Sequence, residues 1–160
     1  MLNLRNYCRA TCPQPANKFW LILWSILSLF GLLDAGYLSL EHWFNRAVIC
    51  RPGFQCQEVL NSSYAYWFTW PVAYLGLLYY LSVFIFLSIF IAWRRQWSWH
   101  LLLTTVSFGL LVSVYFTYVQ FFIIKALCPY CLLSAVTTAI LFSSLMVYWY
   151  QSLDQRKSLG

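Results

Sequence analysis

Four apolar stretches divide this chain: Phe19–Leu40, Trp67–Trp93, Leu101–Ile124 and Pro129–Tyr150. Each can cross about 30 Å of hydrocarbon as a helix, which takes about 20 residues. Inside a bilayer no water is present to satisfy backbone N–H and C=O groups, so such a segment closes its own hydrogen bonds as a helix. Composition agrees: 62% of the residues are hydrophobic and 9% charged, against about 25% charged in soluble domains. The sequence therefore predicts an all-α integral membrane protein, a single domain over residues 1–160. Its form is a four-transmembrane-helix bundle with a long extracytoplasmic loop between helices 1 and 2. The second stretch is long enough to tilt or to extend past the bilayer. Because the first apolar run starts only at Phe19 and already has span length, no cleavable signal peptide is expected.

Basic residues give the orientation. Arg5, Arg9 and Lys18 precede the first span, Arg94 and Arg95 join the second to the third, and Arg156 and Lys157 follow the fourth. The other face holds only Arg46, Arg51 and Lys125, so the positive-inside rule places both termini in the cytoplasm and the 41–66 loop outside. Aromatic residues mark both interfaces, Tyr64, Tyr66, Trp67 and Trp70 on one and Trp93, Trp97, Trp99, Tyr148, Trp149 and Tyr150 on the other. The net charge of +6 is largely this topology signal and gives no reason to invoke nucleic acid.

Six cysteines then sort by side. Cys8 and Cys12, in the basic N-terminal tail, face the reducing cytoplasm and are expected to be free thiols. Cys50, Cys56, Cys128 and Cys131 share the outer surface, where an oxidising compartment permits disulfides. Cys128-Pro129-Tyr130-Cys131 has redox spacing and opens the fourth span. A helix N-terminus favours the thiolate, and Pro suits a first helical position. Between Cys50 and Cys56 lies Pro52-Gly53, a turn signal, so that pair is placed on an exposed loop within reach of a protein partner. Thiol–disulfide exchange needs a thiolate and an accessible sulfur, and an outer pair could pass electrons to a fixed inner pair.

Such a relay needs an electron sink. The sequence holds no dinucleotide fingerprint, haem-attachment motif or iron–sulfur spacing, and a lipid-soluble quinone needs none of these. It would occupy a mostly apolar pocket between helices, held by few polar groups. Gln120, eight residues before Cys128, is a candidate for that pocket, and an ordinary interhelical hydrogen bond is the competing role.

The residues also resemble the vitamin K epoxide reductase-like family, membrane four-helix bundles that couple thiols to quinones. The resemblance rests on Asp34 to His42, on Cys50, and on the run from Cys56 to Ala65. It continues through Pro71 to Gly76, Ser113-Val114-Tyr115, Phe121-Phe122 and Cys128-Pro129-Tyr130-Cys131. It implies catalytic roles for Cys50, Cys56, Cys128 and Cys131: a thioredoxin-like partner would reduce a Cys50–Cys56 disulfide, Cys56 would attack Cys128, and Cys131 would donate to the quinone. It also implies that Ser62 hydrogen-bonds a quinone carbonyl and that Val59, Phe116, Gln120 and Ala135 line the pocket. The quinone would be of ubiquinone, menaquinone or phylloquinone type. The animal epoxide-reducing branch has an asparagine where Val72 stands and a tyrosine where Ala135 stands, so epoxide reduction is not expected. Many microbial members carry a fused thioredoxin-like domain; none follows Tyr150, so the partner is expected to be a separate protein. The absence of a retention signal favours a bacterial inner membrane, with the active site on the periplasmic side.

Plainer readings stand beside these. The outer cysteines could be two structural disulfides in a non-enzymatic assembly or transport protein; a zinc site is disfavoured by location and spacing, and no metal is expected. The disulfide bond formation protein B type also has four helices and two cysteine pairs, but with the CxxC early and the loop pair late. Ser62 could cap a short helix, Asp34 could bond a neighbouring backbone, and His42 could mark the membrane interface. Glu58 reads as a solvated charge, and Gly31, Gly36 and Gly76 as sites of close helix packing.

Overall fold

The computed structural model describes residues 17–157 other than 51, 68, 94 and 95, and not the side chains of 67, 96 and 155–157. Cys8, Cys12, Arg5, Arg9, Arg51, Arg94 and Arg95 lie outside the described residues, as do the side chains of Arg156 and Lys157. Four long helices dominate: α1 (Lys18–Trp43), α3 (Val72–Trp93), α4 (Gln96–Tyr118) and α5 (Pro129–Lys157). All four are long and apolar enough to cross a membrane, as an integral membrane helical protein requires. They pack in a ring, α1 against α3 and α5, and α4 against α3 and α5.

Residues 44–71 connect α1 to α3. This connection holds a short helix α2 (Cys56–Leu60), a 3₁₀ turn (Ser63–Ala65) and the two-residue strands β1 (Tyr66–Trp67) and β2 (Trp70–Pro71). The strands pair antiparallel, Tyr66 with Pro71 and Trp67 with Trp70. That ribbon explains why α3 starts at Val72, although the apolar stretch starts at Trp67: Tyr66, Trp67, Trp70 and Pro71 are apolar but are paired with each other across the ribbon.

The helices are apolar on both sides, and packing separates the faces. On α1, Phe19, Ile22, Ile26, Leu29 and Leu33 are exposed, while Trp24, Ser28, Gly31 and Ala35 are buried. The larger aliphatic residues thus face the hydrocarbon, and small residues let helices approach. Gly31 and Gly109 mark two such approaches, since a Cβ there would run into the rings of Tyr80 and Tyr79 respectively. Gly36 and Gly76 leave room for ordinary contact, with Leu77 at 3.9 Å and Ala35 at 3.7 Å. Hydroxyls along the spans bond the preceding turn, as Ser82 does to the Leu78 carbonyl (2.7 Å) and Thr137 to that of Leu133 (2.8 Å), so few donors face lipid unpaired.

The main core lies at the end opposite the connection, where Trp24, Phe90, Trp99, Leu145 and Tyr148 pack together. Trp99 and Tyr148 had the composition of an interfacial belt, but they are 0% and 5% exposed. They point inward because Trp24 on α1 offers them an aromatic partner, at 6.0 and 5.3 Å between ring centres. Trp93 and Tyr150 remain at the surface.

Candidate active site

The cysteines gather at the connection end. Ile49 is held by two tyrosines: its N–H donates to Tyr37 Oη (3.5 Å), and the Tyr130 hydroxyl donates to its carbonyl (2.9 Å). The next residue, Cys50, is disulfide-bonded to Cys56, with Cα atoms 6.1 Å apart. Between them Pro52 and Gly53 form an exposed turn, Gly53 at φ +96°, a conformation that favours glycine. Cys50 is half-buried and Cys56 only 1% exposed. The reading of this pair as lying on an exposed loop is therefore corrected for Cys56. The reason is a backbone bond from the Gln55 N–H to the Leu127 carbonyl (3.1 Å), which draws Cys56 into a buried cluster with Val59, Ala126 and Cys128.

The inner pair is positioned by an irregular helix end. After Tyr118 the chain widens into a π-helical segment, Val119–Ile124, closed by Lys125 in the left-handed region (φ 56°). Such segments redirect side chains. Gln120, 3% exposed, accepts the Cys128 N–H on Oε1 (3.1 Å). The interhelical role considered for this amide is thus what its oxygen performs, toward the redox motif itself. The Cys128 carbonyl accepts the Leu132 N–H (3.1 Å), so Cys128 is the N-cap residue of α5 and Pro129 its first helical residue. Both Cys128 and Cys131 are free thiols, Cys128 buried and Cys131 half-buried. The Cys131 thiol donates to the Cys128 sulfur, and the N–H groups of Cys131 and Tyr130 are directed at it too. Against the opposing effect of burial, they hold Cys128 below the usual thiol range. Of the two thiols, the N-cap cysteine is thus the one whose thiolate form is favoured, with Cys131 as its donor.

A cavity of about 720 Å³ lies between the helices, within the usual range of roughly 300–1,000 Å³ for small-molecule sites. Cys131 lines it, as do Val59, Ser62, Phe116, Gln120 and Ala135. The wall is mainly apolar. Cys50, Cys56 and Cys128 do not line it. The Ser62 hydroxyl donates to the Val59 carbonyl (2.8 Å) and does not cap the turn that follows. Glu58 is exposed. His42 lines the cavity with its ring edge-on to Tyr66 and Tyr74, at 6.0 and 5.7 Å. Asp34 lines it as well, and its Oδ2 is buried with no hydrogen-bond partner, so the expected backbone bond is not made by that oxygen.

Some residues of this region escaped the sequence reading. Tyr37 and Tyr130 pin the segment before Cys50, and Tyr130 could have been noticed from its place between the two cysteines. Tyr79 and Tyr80 also line the cavity. Their signal was a pair of hydroxyls in mid-span, where polar groups are costly.

No curated protein matches the chain. The sequence model of the Vitamin K epoxide reductase family matches residues 22–146, a segment that takes in most of α1, the connection, both cysteine pairs and the residues that line the cavity, and the chain belongs to that family.

Proposed function

We propose that this protein is a quinone-dependent thiol oxidoreductase that generates disulfides in a separate thioredoxin-like partner. Family membership implies an oxidoreductase. The observation that carries the finer reading is the sequence of sulfurs: a half-buried Cys50, a buried Cys56 against Cys128, and Cys131 opening onto an apolar cavity.

The chain's own groups account for the steps. A partner thiolate attacks Cys50 Sγ, the Cys50–Cys56 bond breaks, and Cys56 leaves as a thiolate. Cys56 then attacks Cys128 of an inner disulfide, which frees Cys131 at the cavity wall; the partner's second thiol attacks the partner sulfur of the mixed disulfide, so that the partner leaves as a disulfide and Cys50 as a thiolate, and Cys50 attacks Cys56 of the Cys56–Cys128 bond, which restores the outer disulfide and frees Cys128. Donors around Cys128 favour it as the sulfur that carries negative charge, which suits it to close the inner disulfide again when Cys131 gives up its electrons. Val59, Phe116 and Ala135 would hold the ring by apolar contact, and Ser62 and Gln120 would orient its carbonyl groups. A quinone bound there supplies a two-electron, two-proton acceptor.

The reading places the site on the periplasmic side of a bacterial inner membrane. Purified protein mixed with a reduced thioredoxin-like substrate and ubiquinone or menaquinone should bleach the quinone absorbance; absence of reduction with every thiol donor would refute the reading.

A further inference from the structure

Asp34 is the one carboxylate among the described residues that line the cavity. It sits in mid-span on α1, and its buried Oδ2 has no partner, an arrangement that costs free energy unless a ligand or a proton compensates it. Its depth follows from neighbouring contacts. Ser39 donates to the Ala73 carbonyl, Ala35 lies against Gly76, and Gly31 lies against Tyr80, so Asp34 is level with the segment of α3 between Gly76 and Tyr80. The Tyr80 hydroxyl meets Ser134 Oγ and Thr138 Oγ1, each at 3.0 Å, which sets the same level on α5. Cys131 lies three to seven residues above, or about 5–10 Å at 1.5 Å per residue. A quinone ring would span such a gap, with one carbonyl toward Ser62 and Cys131 and the other toward Asp34, all three of which line the cavity. His42, which can also take a proton, stands at the outer end of α1 between two tyrosine rings.

Reduction of a quinone needs protons at both oxygens, and Cys131 holds a proton that it gives to the Cys128 sulfur as a hydrogen bond. We propose that Asp34 carries a proton in this cavity, taking the one that Cys131 loses and delivering it to the deeper quinone oxygen. This rests on the quinone reading above. As the Cys128–Cys131 bond forms, the dithiol loses two electrons and two protons and the quinone gains both to become the quinol. The other proton, lost from Cys128 to water at the cysteine face, returns from there to the nearer oxygen, and Asp34 ends as it began.

The test uses the full chain in lipid nanodiscs with ubiquinone, as wild type, Asp34→Asn and Asp34→Glu. Asp34→Asn should slow quinone reduction about 100-fold, the scale of a lost proton-transfer group, and Asp34→Glu should recover part of the rate. Infrared difference spectra between oxidised and reduced protein should show a carboxyl C=O band that Asp34→Asn removes. A Cys56→Ser background that still traps the partner on Cys50 shows that the Asp34→Asn protein is folded. If that trap fails, the band is read in Asp34→Glu, where it should shift, and an unshifted band overturns the assignment. A wild-type rate in folded Asp34→Asn overturns it too. Wild-type protein that reduces no quinone overturns the parent reading together with this one, so the control distinguishes the two failures.

Discussion

The two ends of the bundle are built on opposite principles. At one end Trp24, Val83, Trp99, Val106 and Leu145 are wholly buried, Trp24 Nε1 donates to Ser144 Oγ (3.0 Å), and Trp99 stacks on Trp149 at 5.9 Å. At the other end the helices enclose a cavity with a thiol, a carboxylate and an amide on its wall. Helices in lipid gain little from hydrophobic burial, since the tails are as apolar as leucine, and they associate through close packing and interhelical hydrogen bonds. The filled end supplies that packing. It fixes the spacing of all four long helices, so the other end can keep an open volume and an unpaired Asp34 oxygen without collapsing. Tight packing and the open cavity are thus separated along the bundle axis.

The sharpest test of that separation removes one sulfur from the hollow end. Cys131→Ser should lower quinone-coupled thiol oxidation by about 1,000-fold or more, as loss of a covalent participant does, with the thermal midpoint close to wild type. Oxidation that persisted at the wild-type rate would leave the cysteines a bracing role only. Next comes Trp24→Ala at the filled end. Removing a buried aromatic ring costs about 3 kcal/mol, so the unfolding midpoint should fall while the rate per folded molecule stays unchanged; a specific loss of rate would show that the two ends are coupled. Ser62→Ala should slow quinone reduction about 10-fold, less than a preorganised oxyanion donor would cost, because its hydroxyl must leave the Val59 carbonyl first. Exchange between the partner and Cys50 should be unaffected, as a mixed-disulfide trap would report. The smallest effect is a titration. The Cys131 donor lowers the Cys128 thiol, so in a background lacking Cys50 and Cys56, Cys131→Ala should move the Cys128 thiolate absorbance midpoint to higher pH. An unchanged midpoint would locate the stabilisation in the backbone N–H groups instead.

What could be read from the sequence was what depends on local composition. Apolar length gave four helices, and the placement of Pro129 gave the start of α5. The inner boundary of the connection was less legible, because Tyr66–Pro71 is as apolar as a span and only pairing distinguishes it. The candidate site divides in the same way. Residues that carry chemistry by their type, the cysteines and Asp34, stood out. Those that act through a distant partner did not: Tyr130 meets Ile49 across 81 positions and Tyr80 meets Ser134 across 54. The inward turn of Gln120 depends on a π-helical segment that no propensity in Val119–Ile124 announces. The burial of Cys56 was equally hidden, since Pro52-Gly53 signals a turn but not where its far end docks.

That docking has a kinetic meaning. The Gln55–Leu127 backbone bond fastens the residue before Cys56 to the residue before Cys128, so the two sulfurs meet as groups of one molecule at high effective concentration. Under the proposed function, transfer between the pairs would escape the orientational cost of a bimolecular collision, and only the encounter at Cys50 would depend on how much partner is present. In the proposed relay, a single main-chain bond would make the flow of electrons answer to the supply of partner thiols rather than to the mobility of a loop.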